Sequence, residues 1–278
     1  MDSKIHKVGF MQGRLSEIVD GKIQSFPWSE WKSEFKAAHR IGLTKMEWTI
    51  DQKDLYKNPI MNKEGRISIK KLCNLYKLEI PSLTGDCFMQ APFWKYSDNQ
   101  ERLYKDDFIE VLNSCILLKI KIIVVPLVDN GSISSMDEED KLVNFLNKIT
   151  FKLKDSSTLI VFESDYSPSE FDRFIKRLDP VAFGVNYDIG NSASLGFDPE
   201  EEFALYGHRI HNIHVKDRLL GGTTVPLGEG DANFDLVFNL LKSYKYSGNF
   251  ILQTARAKNN DHCGTIKLYK SMLEKWIA

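Results

Sequence analysis

Four residues in the second half of the chain carry metal-ligand chemistry, each beside a short apolar run. Glu163 follows Leu159-Ile160-Val161-Phe162, Asp188 follows Val185-Asn186-Tyr187, His214 sits between Ile213 and Val215, and Gln253 follows Phe250-Ile251-Leu252. Two carboxylates, an imidazole and an amide oxygen together suit one divalent metal ion such as Mn²⁺, Mg²⁺ or Zn²⁺. Such an ion stabilises the charge that develops when a proton is removed beside a carbonyl, and a neighbouring carboxylate can take that proton. Gln253 can offer its amide oxygen to the metal, but an amide cannot serve as a proton carrier near neutral pH.

A lone Glu, Asp or His in such a place is more often structural or simply solvated. Three in order, at the ends of successive strand candidates, make a set. Other polar residues also fall just past apolar runs. Arg14, Lys216, Arg218 and Arg256 are candidates for holding a phosphate or a sugar carboxylate, the arginines through paired hydrogen bonds. Ordinary salt bridges at a rim are the competing use. Glu47 and Asp86 are candidates for substrate contact and for a second acid/base. Trp28, Trp31, Phe88, Phe93 and Trp94 could wall a sugar pocket, although core packing is the commoner fate of such aromatics. Gly221, Gly222, Gly228 and Gly230 mark a flexible loop that could cover a substrate.

Bringing these residues together requires a particular architecture. Short β-rich runs at residues 7–11, 45–49, 79–83, 121–126, 158–162, 181–187, 210–215 and 249–252 alternate with amphipathic runs. The latter occupy residues 29–41, 63–76, 100–118, 136–153, 167–178, 199–206, 234–246 and 263–276. Ile122-Ile123-Val124-Val125 reads as a strand buried on both faces. Asp137, Glu138, Glu139 and Asp140 stand at a helix N-terminus, where the helix dipole favours them. Pro168 falls in the first turn of its helix. Strands alternating with helices imply a parallel sheet. Eight such units imply closure into a (β/α)8 barrel, the α/β TIM-barrel class, as one domain over residues 1–278. The working site of such a barrel lies at the C-terminal ends of its strands, where the four ligand candidates would converge. His208 and His211 fall toward the opposite face.

Composition narrows the function classes. A chain of 278 residues suits one barrel of about 250 residues. Hydrophobic residues at 42% and charged residues at 27% provide a core with a solvated shell and argue against disorder. A formal net charge of −1, from 37 basic and 38 acidic residues, gives no general pull toward nucleic acid or anionic membrane. No apolar run approaches the ~20 residues of a membrane span. The polar, charged stretch from Met1 to Lys7 shows no secretory signal. Cys73, Cys87, Cys115 and Cys263 are widely spaced with no C-x-x-C pair, as expected of reduced thiols. The expectation is a cytoplasmic protein with a small-molecule partner. Assembly as a homo-oligomer is left open.

Three segments carry a family resemblance: Tyr187-Asp188-Ile189-Gly190-Asn191, His211-Asn212-Ile213-His214-Val215-Lys216-Asp217 and Pro226-Leu227-Gly228-Glu229-Gly230. They resemble the xylose-isomerase-like barrel superfamily, and within it the sugar-phosphate isomerase/epimerase branch, which Met11-Gln12-Gly13-Arg14-Leu15 also fits. The resemblance implies one divalent metal held by Glu, Asp, His and Glu from the fifth to eighth strands, with the two Glu residues moving protons at the sugar carbon. Carried over, the positions are Glu163, Asp188, His214 and Gln253. Gln253 departs from the pattern because it cannot act as a carboxylate base. Asn191 departs too, where relatives often carry His; it is retained as a substrate-contact candidate. Multi-zinc repair endonucleases of the superfamily need extra histidines, whereas His6, His39 and His262 lie outside the strand ends here. The reading is a metal-dependent isomerase or epimerase of a small sugar or sugar phosphate. The alternatives are a dehydratase of cyclitols or keto-sugars on the same scaffold, and a non-catalytic sugar-binding relative.

Overall fold

The computed structural model describes residues 7–278. His6 and most of the polar N-terminal stretch lie outside the described residues. The elements run β1 (Val8–Met11), α1 (Ser33–Arg40), β2 (Lys45–Thr49), α2 (Lys63–Tyr76), β3 (Glu79–Thr84), α3 (Asp86–Gln90), α4 (Asp98–Leu118) and β4 (Ile122–Leu127). They continue with α5 (Met136–Ser156), β5 (Leu159–Ser164), α6 (Pro168–Lys176), β6 (Phe183–Asp188), α7 (Ile189–Leu195) and α8 (Pro199–Tyr206). The last are β7 (Ile210–Val215), β8 (Asp217–Arg218), β9 (Thr224–Val225), α9 (Phe234–Ser243), β10 (Asn249–Leu252) and α10 (His262–Ile277). Eight strands close into a parallel barrel in the order β1-β10-β7-β6-β5-β4-β3-β2, and β8 with β9 forms a separate two-stranded sheet. Packing divides the chain into two compact units.

One unit comprises Thr49–Lys71 and Pro81–Val185. Its strand β4 is buried throughout, as an all-apolar parallel strand must be. The β4–β5 register runs from Ile122 opposite Leu159 to Pro126 opposite Glu163 and Leu127 opposite Ser164. Glu163 therefore emerges at the C-terminal end of that pair. Ser167 and Glu170 form a reciprocal capping box that starts α6, with Pro168 in its first turn. Buried Glu139 on α5 accepts both Arg173 amines, at 2.8 and 2.7 Å, and Arg177 at 2.6 Å, which fastens α6 to α5. Phe93 packs on Phe145 with ring centroids 4.6 Å apart, and Phe88 on Phe108 at 4.3 Å. Phe88, Phe93 and Trp94 are buried.

The other unit comprises the chain up to Trp48, Leu72–Ile80 and Asn186–Ala278. Here β1 lies between β10 and β2, with Gly9 opposite Ile251 and Met11 opposite Glu47. β10 pairs with β7, placing Ile251 opposite His214 and Leu252 opposite Val215. Trp31 packs edge-on against Trp48 at 5.7 Å, while Trp28 is exposed, with its edge to Phe26. Buried Glu202 accepts the hydroxyls of Tyr187 and Tyr206 at 2.7 Å each, and that of Ser192. The glycine-marked loop after β7 is tied to Asp217 at its far end. Asp217 accepts the backbone amides of Gly228, Gly230 and Ala232 at 2.8, 2.9 and 3.2 Å, clasping the segment around the β8–β9 hairpin.

Candidate metal centre

The chemistry of the site begins with how strands end. Asp188 is the last residue of β6 and also the N-cap of α7: its Oδ1 accepts the amide of Asn191 at 2.9 Å. That cap fixes the carboxylate and turns Oδ2 to a separate use. Lys216, just past β7, places Nζ 2.6 Å from Asp188 Oδ2 and 3.2 Å from Gln253 Oε1. Burial alone would raise the Asp188 carboxyl. The Lys216 ammonium outweighs it and holds the group below the usual carboxylate range.

His214 is fully buried in β7 and bound on both sides. Its Nε2 lies 2.7 Å from Glu47 Oε1, and its Nδ1 lies 3.0 Å from Asn186 Nδ2 and 3.8 Å from Asp188 Oδ2. The neighbouring amides assign the tautomer. Asn212 Nδ2 donates to Glu47 Oε2 and to Asn186 Oδ1, each at 2.9 Å. Asn186 must then present its amine to His214 Nδ1, so the imidazole proton sits on Nε2 and points at Glu47. This leaves the Nδ1 lone pair accepting from Asn186, so a metal bound there would take the place of that hydrogen bond. The carboxylate on the far nitrogen is the usual device for orienting a metal-bound histidine.

Glu163, Asp188 and His214 are all buried, and one ligand atom from each lies within 4.8 Å of the others. Two carboxylates and an imidazole with its lone pair set by hydrogen bonding fit a divalent ion. Among the described residues this is the group of metal-binding side chains the fold assembles; His39 sits on α1, and His262 begins α10.

The sequence model of the xylose isomerase-like TIM barrel family matches residues 35–275. The chain belongs to that family. A protein from Haemophilus influenzae named for L-ribulose-5-phosphate 3-epimerase is 22% identical over 276 residues, covering 93% of this chain and 92% of the relative. An inosose dehydratase from Clostridium tetani is 23% identical over 239 residues, covering 74% of this chain and 80% of that enzyme. Among solved structures, the IOLI protein with a bound zinc atom superposes with a TM-score of 0.75 at 14% identity, over 98% of each chain. The curated relatives are thus enzymes of the same barrel family, both epimerase and dehydratase.

Within this xylose isomerase-like barrel, several sequence candidates turn out to support the site. Glu47 is fully buried and hydrogen-bonds to both His214 and Asn212. Asp86 is the buried first residue of α3, a five-residue helix that periodicity did not foretell. Asn191 accepts Arg218 Nη1 through Oδ1 at 2.8 Å. Arg218 also donates from Nε and Nη2 to the carbonyl of Gly222, at 3.1 and 2.7 Å. Arg14 is buried and donates to the carbonyls of Thr254 and Ile23 at 2.9 and 2.8 Å. Arg256 donates to the carbonyls of Gly13 and Ser16. Arg14 and Arg256 thus donate to loop carbonyls, and Arg218 to the Gly222 carbonyl and the Asn191 side chain.

Gln24 is the residue that sequence reasoning missed. Its Oε1 accepts Gln253 Nε2 at 2.9 Å and faces Arg14 Nη2 at 3.4 Å. The contact turns the Gln253 amide so that its oxygen faces Lys216. Gln24 lies in an irregular loop, 229 positions from its partner, and no local pattern could have flagged it. The same loop is anchored by Glu34, which accepts the amides of Gly13 and Leu15 at 2.9 Å. Gly13 has a φ of +92°, a conformation that other residues seldom adopt. Burial outweighs these donors and Arg256, raising the Glu34 carboxyl to about 7.

Proposed function

We propose that this protein is a divalent-metal-dependent isomerase or epimerase of a small sugar or sugar phosphate, acting by proton removal next to a carbonyl. The observation that carries the reading is the buried convergence of Glu163, Asp188 and His214, in a chain whose relatives bear epimerase and dehydratase names. Glu163, Asp188 and His214 would hold the ion, with the Gln253 amide oxygen as a weaker fourth ligand. The bound metal supplies Lewis-acid stabilisation of oxyanion charge. Glu163 takes the proton from the carbon beside the carbonyl, Glu47 keeps His214 in its binding tautomer, and Gln24 keeps the Gln253 oxygen facing inward. The support for a phosphorylated substrate comes from the relative named for L-ribulose-5-phosphate; the three guanidinium groups are engaged by the protein's own oxygens.

Gln253 favours a second reading. Epimerisation returns a proton to the opposite face of the carbon, and an amide cannot deliver it. A dehydratase needs one base and loses water from the neighbouring carbon, in keeping with the inosose dehydratase relatives. Incubation with ketoses, their phosphates and inososes in D₂O separates the two. Deuterium entering beside the carbonyl with inverted product marks the epimerase, and an unsaturated product marks the dehydratase. Glu163→Gln should stop both. Full exchange in Glu163→Gln refutes the assignment of the base.

A further inference from the structure

Lys216 stands out in the centre because it contacts two of the four candidate ligands at once. Its ammonium is 2.6 Å from Asp188 Oδ2 and 3.2 Å from Gln253 Oε1. The seat is built for it from three sides. Gly190, in the first turn of α7, leaves room for the lysine stem: a Cβ there would lie 2.9 Å from Lys216 Cγ and 3.0 Å from its backbone carbonyl. Asp188 is held in place by its cap on Asn191, and the Gln253 amide by Gln24. The lysine itself is buried.

We infer that Lys216 is a built-in competitor for the divalent ion, so that the metal affinity of this site is set by displacement of its ammonium. The inference rests on the metal-centre reading and extends it. A cation arriving at Asp188 Oδ2 meets an ammonium already at ion-pair distance from that oxygen. Like charges at such a separation repel strongly in a buried site. Lys216 must therefore swing away from Asp188, giving up its contact with Gln253 as well. The neutral Gln253 amide deepens the effect, because it attracts the metal less than a carboxylate would and yet still accepts from the ammonium. Metal binding then takes the form of an exchange of one cation for another on shared oxygens. The liberated ammonium needs a new acceptor, which an oxygen-rich substrate can supply. Metal and substrate therefore favour each other's binding.

The test is Mn²⁺ titration calorimetry on the full chain in four forms: wild type, Lys216→Met, Lys216→Met with His214→Ala, and Lys36→Met. The last removes a charge from an exposed lysine on α1 and controls for net charge. Lys216→Met should bind Mn²⁺ about tenfold more tightly or better, given the size of charge–charge terms at short range. The gain should vanish when His214 is also replaced, and Lys36→Met should match wild type. Lys216→Gln serves if the methionine variant fails to fold, as judged by circular dichroism. Affinity unchanged or weakened in the Lys216 variants, while still lost with His214, overturns the competitor role and leaves the metal centre standing. Binding by Lys216→Met that is unchanged when His214 is also replaced overturns both.

Discussion

Glu47→Gln isolates what a buried carboxylate does for its histidine. In the wild type, Glu47 Oε1 faces His214 Nε2 at 2.7 Å and Oε2 accepts from Asn212 at 2.9 Å. A glutamine keeps the size and loses the charge. It can oppose only one of these two donors with its oxygen, and its amine must face the other. If the amine meets Nε2, the imidazole proton moves to Nδ1 and the lone pair leaves the side that Asp188 faces. If the amine meets Asn212, the donor–donor contact costs about 1–3 kcal/mol for the unmet group. Either outcome weakens metal binding. Loss of such an orienting partner typically lowers metal affinity ~10–100-fold, or about 1.4–2.7 kcal/mol. Mn²⁺ calorimetry reads this directly, and a thermal melt without metal reads the stability cost. Glu47→Ala should be worse for stability, because both buried donors lose their acceptor. The reasoning fails if Glu47→Gln binds Mn²⁺ as tightly as wild type and melts at the same temperature.

Three further outcomes are expected. Gln253→Glu sets a carboxylate oxygen against Gln24 Oε1, so the metal-free protein should melt lower while Mn²⁺ stabilises it more than it does wild type; a differential scan with and without Mn²⁺ checks both halves. Arg256→Ala should lower the melting temperature and shift KM for a sugar and its phosphate alike, because the guanidinium holds the carbonyls of Gly13 and Ser16; a phosphate-selective rise in KM would restore the anion role. The Glu34 carboxyl, raised by burial to about 7 from an ordinary 4.5, keeps its proton after the unfolded chain has lost its own. Its contribution is complete below pH ~4.5 and lost as the pH rises through 7, so melts across that window should decline in wild type and flatten in Glu34→Gln.

The barrel was legible because its strands are short apolar runs set apart by amphipathic helices. Ile122 to Val125 could hardly be anything but a doubly covered strand, and Glu163 stands opposite Pro126 where that pair ends. The ligand candidates followed from the same logic, since residues just past parallel strands share one end of the barrel. What stayed hidden depends on partners far away in sequence. The arginines carry no mark of whether they face a ligand's oxygens or a loop's carbonyls. Glu47 reads as a strand-end carboxylate, and only the register with Met11 and the contact with His214 reveal its service. The helices α3 and α7 have five and seven residues, too few turns for a periodic signal. Asp86 consequently reads as a free strand end, and Asp188 as a ligand with no second duty.

The arginine contacts of the first loop also have a kinetic side. Arg14 bonds Thr254 across 240 positions, and Arg256 reaches back over 243 and 240 positions to Gly13 and Ser16. Contacts of such sequence separation are late events, because chain-closure entropy is spent before they give any return. During synthesis the loop at residues 13–25 leaves the ribosome long before the residues that will secure it. Gln24 cannot orient Gln253 until almost the whole polypeptide exists. Gln253, like the β1–β10 pairing, accordingly takes its final geometry only once the two ends of the chain have met.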